Sequence, residues 1–224
     1  MQYDVIIIGA GPGGIFSAYE LSKLCPEEKI AVFEEGQPLE KRKCPIDGKN
    51  VKRCIGCPTC AIMNGFGGAG AFSDGKYNIT NDFGGTLYEH IGKKQALELM
   101  NYVDEINVTH GGAGTKLYTT SNSAFKTRCL QCGLHLLDAS VRHLGTDINY
   151  VVLENLFAEL DPKVDFHFRT PVRQVLEKDG GYEIVTDAGN HTCKQCIISV
   201  GRSGSKWMEG VCAALGIGTL SNRV

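Results

Sequence analysis

Apolar residues near the amino terminus form two short unbroken runs, separated by a stretch with helical spacing. The runs cover residues 5–8 and 30–33, and both contain β-branched side chains. An unbroken run of this length is typical of a parallel strand that is buried on both faces. Residues 15–24 carry apolar side chains at roughly helical spacing, and Pro26 ends that pattern. The pattern predicts a strand–helix–strand unit within residues 4–35.

Helical spacing returns in the middle of the chain. Residues 93–107 and 130–144 repeat apolar side chains every three or four positions. A third such pattern begins after Thr146, a candidate N-cap. A doubly wound NAD domain would instead continue with strand–helix units. We therefore predict a helical insertion over residues 90–160.

Short apolar segments reappear after this insertion. Residues 165–168 and 172–176 predict strands, and Gly180-Gly181 predicts a hairpin turn into a strand at 182–186. Residues 196–200 form a last buried strand that leads into further glycines. The predicted fold class is α/β: a Rossmann-like domain with a parallel sheet, a three-stranded β-meander and a helical insertion. The meander and the second glycine-bearing strand are predicted over residues 164–204.

Glycines follow the first strand in the order GxGxxG, at Gly9, Gly11 and Gly14. Gly9 permits a tight turn, Gly11 lets a pyrophosphate approach the main chain, and Gly14 lets helix and strand pack closely. The helix that follows offers unpaired N–H groups to the phosphates. Glu34, at the end of the second strand, can accept hydrogen bonds from both hydroxyls of an adenine ribose. Its charge also disfavours the 2′-phosphate of NADP.

Composition and charge argue against several classes of function. The chain has 224 residues, and 23 Lys and Arg against 25 Asp and Glu give a net charge of −2. Such a balance predicts neither a nucleic-acid surface nor a membrane-binding face. No apolar run approaches the ~18 residues of a membrane span, and the first residues do not resemble a signal peptide. We therefore expect a cytoplasmic protein, in which ten cysteines are free, metal-bound or redox-active.

The segment from residue 44 to residue 76 combines cysteines and glycines. Cys54, Cys57 and Cys60 form CxxCxxC, and Cys44 is a candidate fourth ligand for an iron–sulfur cluster or zinc. Unlike the ferredoxin pattern, the Cys-Pro pair precedes the three cysteines. A redox dithiol of Cys57 and Cys60, or inert thiols, are the alternatives. The glycines at 65–70 predict a main chain that lies close against a flat ring or a pyrophosphate.

Several stretches together resemble a family of largely uncharacterised FAD-dependent dehydrogenases within the glutathione-reductase-like flavoproteins. They are "DVIIIGAGPGGIFSAYEL", "RKCPI", "CIGCPTCAIMNGFGGAGAFSDGKYN", "RHLGTDIN" and "CIISVGRSGSKWM". The resemblance implies that the GxGxxG glycines and Glu34 bind the ADP half of FAD. It also implies that the backbone at Val172 meets the adenine, that Gly201 lies beside the cofactor, and that "GFGGAGAFSDGK" faces the flavin.

Lys76 would then stabilise negative charge on reduced flavin, with polar contacts from Ser73 and Asp74. Arg202 would pair with a phosphate or with a surface acid. The full set of predicted cofactor-binding residues is Gly9, Gly11, Pro12, Gly13, Gly14, Glu34, Glu35, Arg42, Gly67, Gly68, Ala69, Gly70, Ser73, Asp74, Lys76, Val172, Gly201 and Arg202. No catalytic side chain is predicted, because the flavin itself carries the chemistry.

The preferred hypothesis is the amino-terminal part of an FAD-dependent oxidoreductase that passes a hydride or electrons through flavin, with NAD(H) as a candidate electron partner. Family members are about twice as long and carry a substrate domain after the "GRSG" strand, so we expect that domain to be missing after residue 224. The substrate and the oligomeric state are not predicted. The alternative is a metal-binding or redox-sensing module, built on the cysteine cluster, with a nucleotide-binding domain.

Overall fold

The computed structural model describes residues 1–121 and 123–220; the predicted domain end at 224 lies outside them. The strands are β1 Gln2–Ile8, β2 Ile30–Phe33, β3 Lys76–Ile79, β4 Leu117–Thr119, β5 Ser140–His143, β6 Val164–His167, β7 Val172–Lys178, β8 Gly181–Thr186 and β9 Gly189–Ile198. The helices are α1 Pro12–Leu24, α2 Leu87–Ile91, α3 Lys93–Asn107, α4 Phe125–Gln131, α5 Gly145–Leu160 and α6 Ser205–Ala214. None of these helices is long and apolar enough to cross a membrane.

The chain divides into two compact units. The first unit contains Met1–Ala71 and the described residues from Leu156 onward, and the second contains Phe72–Asn155. The first unit is built on a six-stranded sheet in the order β6-β2-β1-β9-β8-β7. Its first four strands pair in parallel, whereas β7, β8 and β9 pair antiparallel as the meander. The predicted strand–helix–strand unit and the α/β fold class are confirmed.

Unbroken apolar sequence explains the centre of this sheet. The side chains of β2 are buried along its whole length, and Ile6 and Ile7 of β1 are fully buried. Burying a side chain of this kind stabilises the fold by about 1.5–3 kcal/mol. Helix α1 buries Ile15, Ala18 and Tyr19. A second apolar group joins the glycine segment to the sheet, because the ring of Phe66 meets that of Phe166 in β6 edge to face at 5.9 Å.

The second unit contains a three-stranded antiparallel sheet in the order β3-β5-β4, with α2, α3 and α4 and the first turns of α5. Helix α3 confirms the prediction for residues 93–107. The predicted helix at 130–144 is wrong: α4 ends at Gln131, and Gly133 adopts φ 70°. Strand β5 then pairs with β3 and β4 on its two sides. Pairing with two strands that are distant in sequence outweighs the local helical spacing.

Candidate functional site

A cleft of about 710 Å³ lies at the carboxyl ends of β1, β2 and β9 in the first unit. This is the edge of a parallel sheet at which ligands bind in open α/β folds. Its walls come from residues 8–9, 11–13, 33–35, 63–64, 68–70, 170–173 and 199–204, together with Trp207. Most of the cofactor-binding residues predicted from the sequence for this unit are therefore brought together here.

The GxGxxG turn forms one wall of the cleft. Gly9 has φ 101°, and a Cβ there would lie 2.6 Å from the carbonyl oxygen of Ser199. A Cβ on Gly14 would lie 1.9 Å from the carbonyl oxygen of Gly9, so the turn and helix α1 approach as closely as predicted. The N-cap of α1 is Gly11, and no side chain caps this end. The first N–H groups of a helix are unpaired within it, so they are available to an anion.

The second glycine segment faces this turn. Gly68 has φ 57°, and a Cβ on it would lie 3.0 Å from the Cα of Gly11. The N–H of Gly67 donates to the carbonyl of Ala10 at 2.9 Å, which fixes the two segments against each other. Ala69 and Gly70 line the cleft beside Gly68. Two glycine clusters that are more than fifty residues apart in sequence therefore make one backbone-lined surface.

Glu34 lies at the end of β2 with only 6% of its surface exposed. Its Oε2 accepts a hydrogen bond from the N–H of Ala10 at 2.8 Å. Its Oε1 accepts from the N–H groups of Gly36 and Gly65 at 2.8 and 2.9 Å. A carboxylate has about four acceptor positions, so roughly one remains for a ligand. Glu34 thus holds three backbone N–H groups, and its hydrogen bonding to ribose hydroxyls stays a prediction.

Glu35, in contrast, is exposed and lines the cleft. Partial desolvation and, to a smaller extent, the charge of Glu34 raise the pKa of Glu35, whereas Arg173 opposes the shift. The Arg173 guanidinium forms an ion pair with Asp187 at 2.5 Å, and this hydrogen bond holds the pKa of Arg173 above its ordinary value. The two adjacent glutamates thus differ in their surroundings: Glu34 is hydrogen-bonded to the main chain, and Glu35 is exposed at the cleft.

Arg42 was predicted to bind the cofactor, but its side chain holds the cysteine-containing segment. The buried guanidinium donates to the carbonyl oxygens of Ala61, Ile62 and Phe66 at 3.0, 2.8 and 2.6 Å. Burial lowers the pKa of Arg42, and the charge of Glu34 opposes that shift. Arg42 supports the segment that ends in the cleft-lining glycines, and it is not among the residues that line the cleft.

The carboxyl end of β9 and the start of β7 complete the cleft. Gly201 has φ 62°, and both Gly201 and Arg202 are exposed in the turn before α6. Val172 opens β7, where the pairing with β8 is irregular between Val172 and Gln174. Trp207 of α6 lines the same wall and donates from Nε1 to the carbonyl of Arg173 at 3.2 Å. Sequence reasoning assigned no role to Trp207, although it follows the "GRSG" turn and is the single tryptophan of the chain.

Comparison of the sequence with protein-family models and with curated proteins finds no match. Comparison of the fold with solved structures finds similar proteins. A glycine oxidase from Geobacillus kaustophilus superposes with a TM-score of 0.55 and 17% identity, over 97% of this chain and 59% of that one. NikD, an unusual amino acid oxidase essential for nikkomycin biosynthesis, gives 0.52 and 11%, over 93% and 54%.

The chain shares a Rossmann-like α/β fold with these structures. It spans between half and three fifths of the length of these two structures. Identities of 11–17% show a shared fold and no more.

Three predicted flavin contacts belong to the second unit. Lys76 and Asp74 form an ion pair at 2.6 Å with both side chains more than half exposed, and the hydrogen bond from Lys76 lowers the pKa of Asp74. The Ser73 hydroxyl accepts from the N–H of Gly75 at 3.2 Å. The Asp74-Gly75 turn therefore leads into β3 with its polar groups engaged locally. Their contact with flavin stays a prediction.

The cysteine cluster does not form the predicted metal site. All ten cysteines are free thiols, and Cys44, Cys54, Cys57 and Cys60 are half-buried or exposed. Among the described residues, no group of three or more His, Cys, Asp or Glu side chains is placed to hold a metal ion. The segment from 44 to 60 has little regular structure, so close spacing in sequence does not bring the cysteine side chains together as a ligand set. The structure supports neither iron–sulfur nor zinc binding, and NAD(H) stays a prediction from the sequence.

Proposed function

We propose that this chain is the FAD-binding part of a flavin-dependent oxidoreductase that acts on a small molecule. The observation that carries the proposal is the pair of glycine segments that face each other at the uncapped end of α1. A Cβ on Gly68 would lie 3.0 Å from the Cα of Gly11, whereas a Cβ on Gly11 would meet only the Cα of Gly68, at 3.9 Å. A main chain without side chains at both positions fits a pyrophosphate that must lie against N–H donors.

The carboxylates at the end of β2 favour an adenosine whose ribose is not phosphorylated. Glu34 keeps about one acceptor position, and Glu35 presents a free carboxylate to the same cleft. Such acidic groups accept hydrogen bonds from ribose hydroxyls and repel a 2′-phosphate. Adenosine and pyrophosphate are common to FAD and NAD. The long glycine segment opposite the turn and the resemblance to flavoproteins support FAD.

When bound, the flavin supplies hydride or electron transfer. The residues of this chain bind the dinucleotide, orient it and exclude water from the phosphates. Both structurally similar proteins are named as oxidases, which supports the oxidoreductase class. The proposal assigns the cofactor to this chain and leaves the choice of substrate to residues outside the cleft described here.

The test is the substitution Gly11→Ala. Gly11 has φ −76°, and the nearest atom to an added Cβ is 3.9 Å away, so the fold accepts alanine. The methyl group occupies the space of the pyrophosphate. We expect calorimetric titration to show FAD binding to the wild-type chain and at least about tenfold weaker binding to Gly11→Ala, a loss of ~1.4 kcal/mol. Because Gly11 is the N-cap of α1, where alanine is less favourable than glycine, the free energy of unfolding should fall by no more than about 1 kcal/mol.

Gly210→Ala is the matched control, because Gly210 lies in α6, does not line the cleft and has no atom within 4 Å of an added Cβ. It should bind FAD as the wild type does. Failure of the wild-type chain to bind FAD, or equal binding by Gly11→Ala, contradicts the proposal.

A further inference from the structure

Trp207 has a fixed orientation at one end of the cleft. It lies in the first turn of α6, half-buried, and packs against the core cluster that includes Val175 and Val211. Its Nε1–H donates to the carbonyl of Arg173 at 3.2 Å. The one polar group of the indole is therefore satisfied by the protein, and the aromatic surface that lines the cleft needs only an apolar or aromatic partner.

The neighbouring strand offers complementary polar groups. Strand β7 is the outermost strand of the six-stranded sheet, so one of its edges has no strand partner in that sheet. Its pairing with β8 is irregular between Val172 and Gln174, at the point where it lines the cleft. An edge strand presents N–H and C=O groups in a row. A purine, which has donors and acceptors on its edge and a flat face, matches such an edge beside an aromatic ring.

Backbone contacts identify which end of a dinucleotide this is. The N–H of Thr170 donates to the carbonyl of Glu34 at 2.9 Å, which joins the chain before β7 to the end of β2, and the backbone carbonyl of Arg173 holds Trp207. Trp207 and Glu35 therefore lie at the same end of the cleft, the end at which the proposed function places the ribose hydroxyls. The base attached to that ribose is the group within reach of the indole.

We propose that Trp207 is the residue on which the adenine stacks, beside the main chain of Val172 that the family resemblance already implies for this base. This inference rests on the proposed FAD-binding function and adds a residue that selects the base. Stacking of a base on an aromatic side chain is a recurrent source of affinity for nucleotides. The hydrogen bond to Arg173 sets the ring orientation before the ligand arrives, so little side-chain freedom is lost on binding.

The first experiment uses the fluorescence of Trp207, which reports on this site alone because the chain has one tryptophan. ADP is the probe, since it carries the adenine without a flavin that would quench fluorescence over a distance. We expect ADP to change the emission with the affinity that calorimetry gives for ADP. Inorganic pyrophosphate, which lacks the base, should leave the emission unchanged.

The second experiment compares variants. Trp207→Leu removes the aromatic face and keeps apolar volume, and we expect it to weaken both FAD and ADP by about 5- to 140-fold. FMN, which lacks adenine, should bind the wild type and Trp207→Leu equally. Trp207→Phe keeps a stacking ring and should recover most of the affinity. Met208→Ala is the control, because Met208 packs against the same core cluster and does not line the cleft.

The outcomes separate this inference from the function on which it rests. ADP binding by calorimetry without a change in emission, or unchanged FAD affinity in Trp207→Leu, overturns the adenine subsite and leaves FAD binding intact. An equal loss of affinity in Met208→Ala also overturns it, because the effect would then come from core packing. Failure of the wild-type chain to bind both FAD and ADP overturns both proposals.

Discussion

Each of the two units buries a carboxylate, and the two carboxylates have different kinds of partner. In the first unit, Glu34 accepts hydrogen bonds from three backbone N–H groups. In the second unit, Asp104 of α3 forms a two-point ion pair with Arg142 of β5, with N–O distances of 2.5 and 2.7 Å. Both residues are less than one tenth exposed. Two carboxylates of similar burial are therefore stabilised differently, one by backbone N–H groups and the other by a guanidinium.

The difference follows from what each carboxylate connects. Asp104 and Arg142 join a helix to a sheet, and the guanidinium also donates to the carbonyl of Thr115 at 2.8 Å. The charge is neutralised inside a packed core. Glu34 instead connects the GxGxxG turn at Ala10 with the glycine segment at Gly65, two backbone segments that line an open cleft. Its partners are neutral backbone N–H groups, so Glu34 fixes the two segments without placing a second charged side chain in the cleft.

The largest expected effect is on the ion pair of the second unit. Asp104→Ala leaves the Arg142 side chain, which is only 12% exposed, without its carboxylate, and loss of one partner of a buried pair costs about 3–5 kcal/mol. We expect urea unfolding to show this loss. The exposed pair of Lys126 and Asp138, with an N–O distance of 2.8 Å, supplies the control.

Asp138→Ala should cost less than about 1 kcal/mol, because solvent screens an exposed pair. Equal losses in Asp104→Ala and Asp138→Ala would show that burial does not distinguish the two pairs. Burial of the Asp104–Arg142 pair would then add nothing to the free energy of unfolding.

A smaller loss is expected when the carboxylate of the first unit is changed. Glu34→Gln keeps the shape but replaces one acceptor oxygen by an NH₂ group, so at least one backbone N–H loses its partner. A buried unsatisfied donor costs about 1–3 kcal/mol. FAD affinity, measured by calorimetry, should fall as well, because the frame of the cleft depends on these bonds.

Glu35→Gln is the matched control, since the adjacent side chain is exposed and should change the free energy of unfolding by less than about 0.5 kcal/mol. If the two glutamine variants unfold at the same urea concentration, Glu34 does not hold the three segments together in the way its hydrogen bonds indicate.

These two carboxylates also mark what the sequence could and could not reveal. The strand–helix–strand unit and the roles of Gly9 and Gly14 follow from local spacing, because a strand, a turn and a helix of neighbouring residues determine them. The partners of Glu34 do not, since Gly65 lies 31 positions away. The local spacing predicts a helix where strand β5 forms for the same reason: its partners β3 and β4 are remote in sequence.

The cysteines and Trp207 show two further ways in which local sequence fails to predict a site. CxxCxxC is a strong local pattern, yet the described chain does not gather its thiols into a ligand set. Trp207 has no local signal except its uniqueness, and it reaches the cleft because α6 packs beside β7. Side chains that depend on the meeting of distant segments become apparent only once the sheet order is known.

The smallest expected effect extends the comparison to two histidines. In the second unit, His110 is buried and its Nδ1 lies 2.7 Å from the carbonyl oxygen of Ile106. In the first unit, the Nδ1 of His191 is buried without a hydrogen-bond partner in the described structure, and the ring meets that of Phe33 at 4.8 Å. Burial lowers the pKa of His191. The positive amino terminus and His167 lower it further, and Asp165 acts in the opposite direction.

The sign of the pH dependence follows from this shift. Because the folded-state pKa lies below the ordinary value of ~6.5, the unfolded chain takes up the proton first as the pH falls. The stability that the neutral ring contributes is complete above the ordinary pKa and is lost as the pH falls below it.

His191→Phe keeps an aromatic ring against Phe33 and removes this titration. The free-energy difference between the wild type and His191→Phe, measured by urea unfolding, should therefore move in favour of the variant between pH 7.5 and pH 5. Parallel pH profiles would mean that the His191 ring is as well solvated in the folded chain as in the unfolded one. Its contact with the Phe33 ring would then not exclude water from the imidazole.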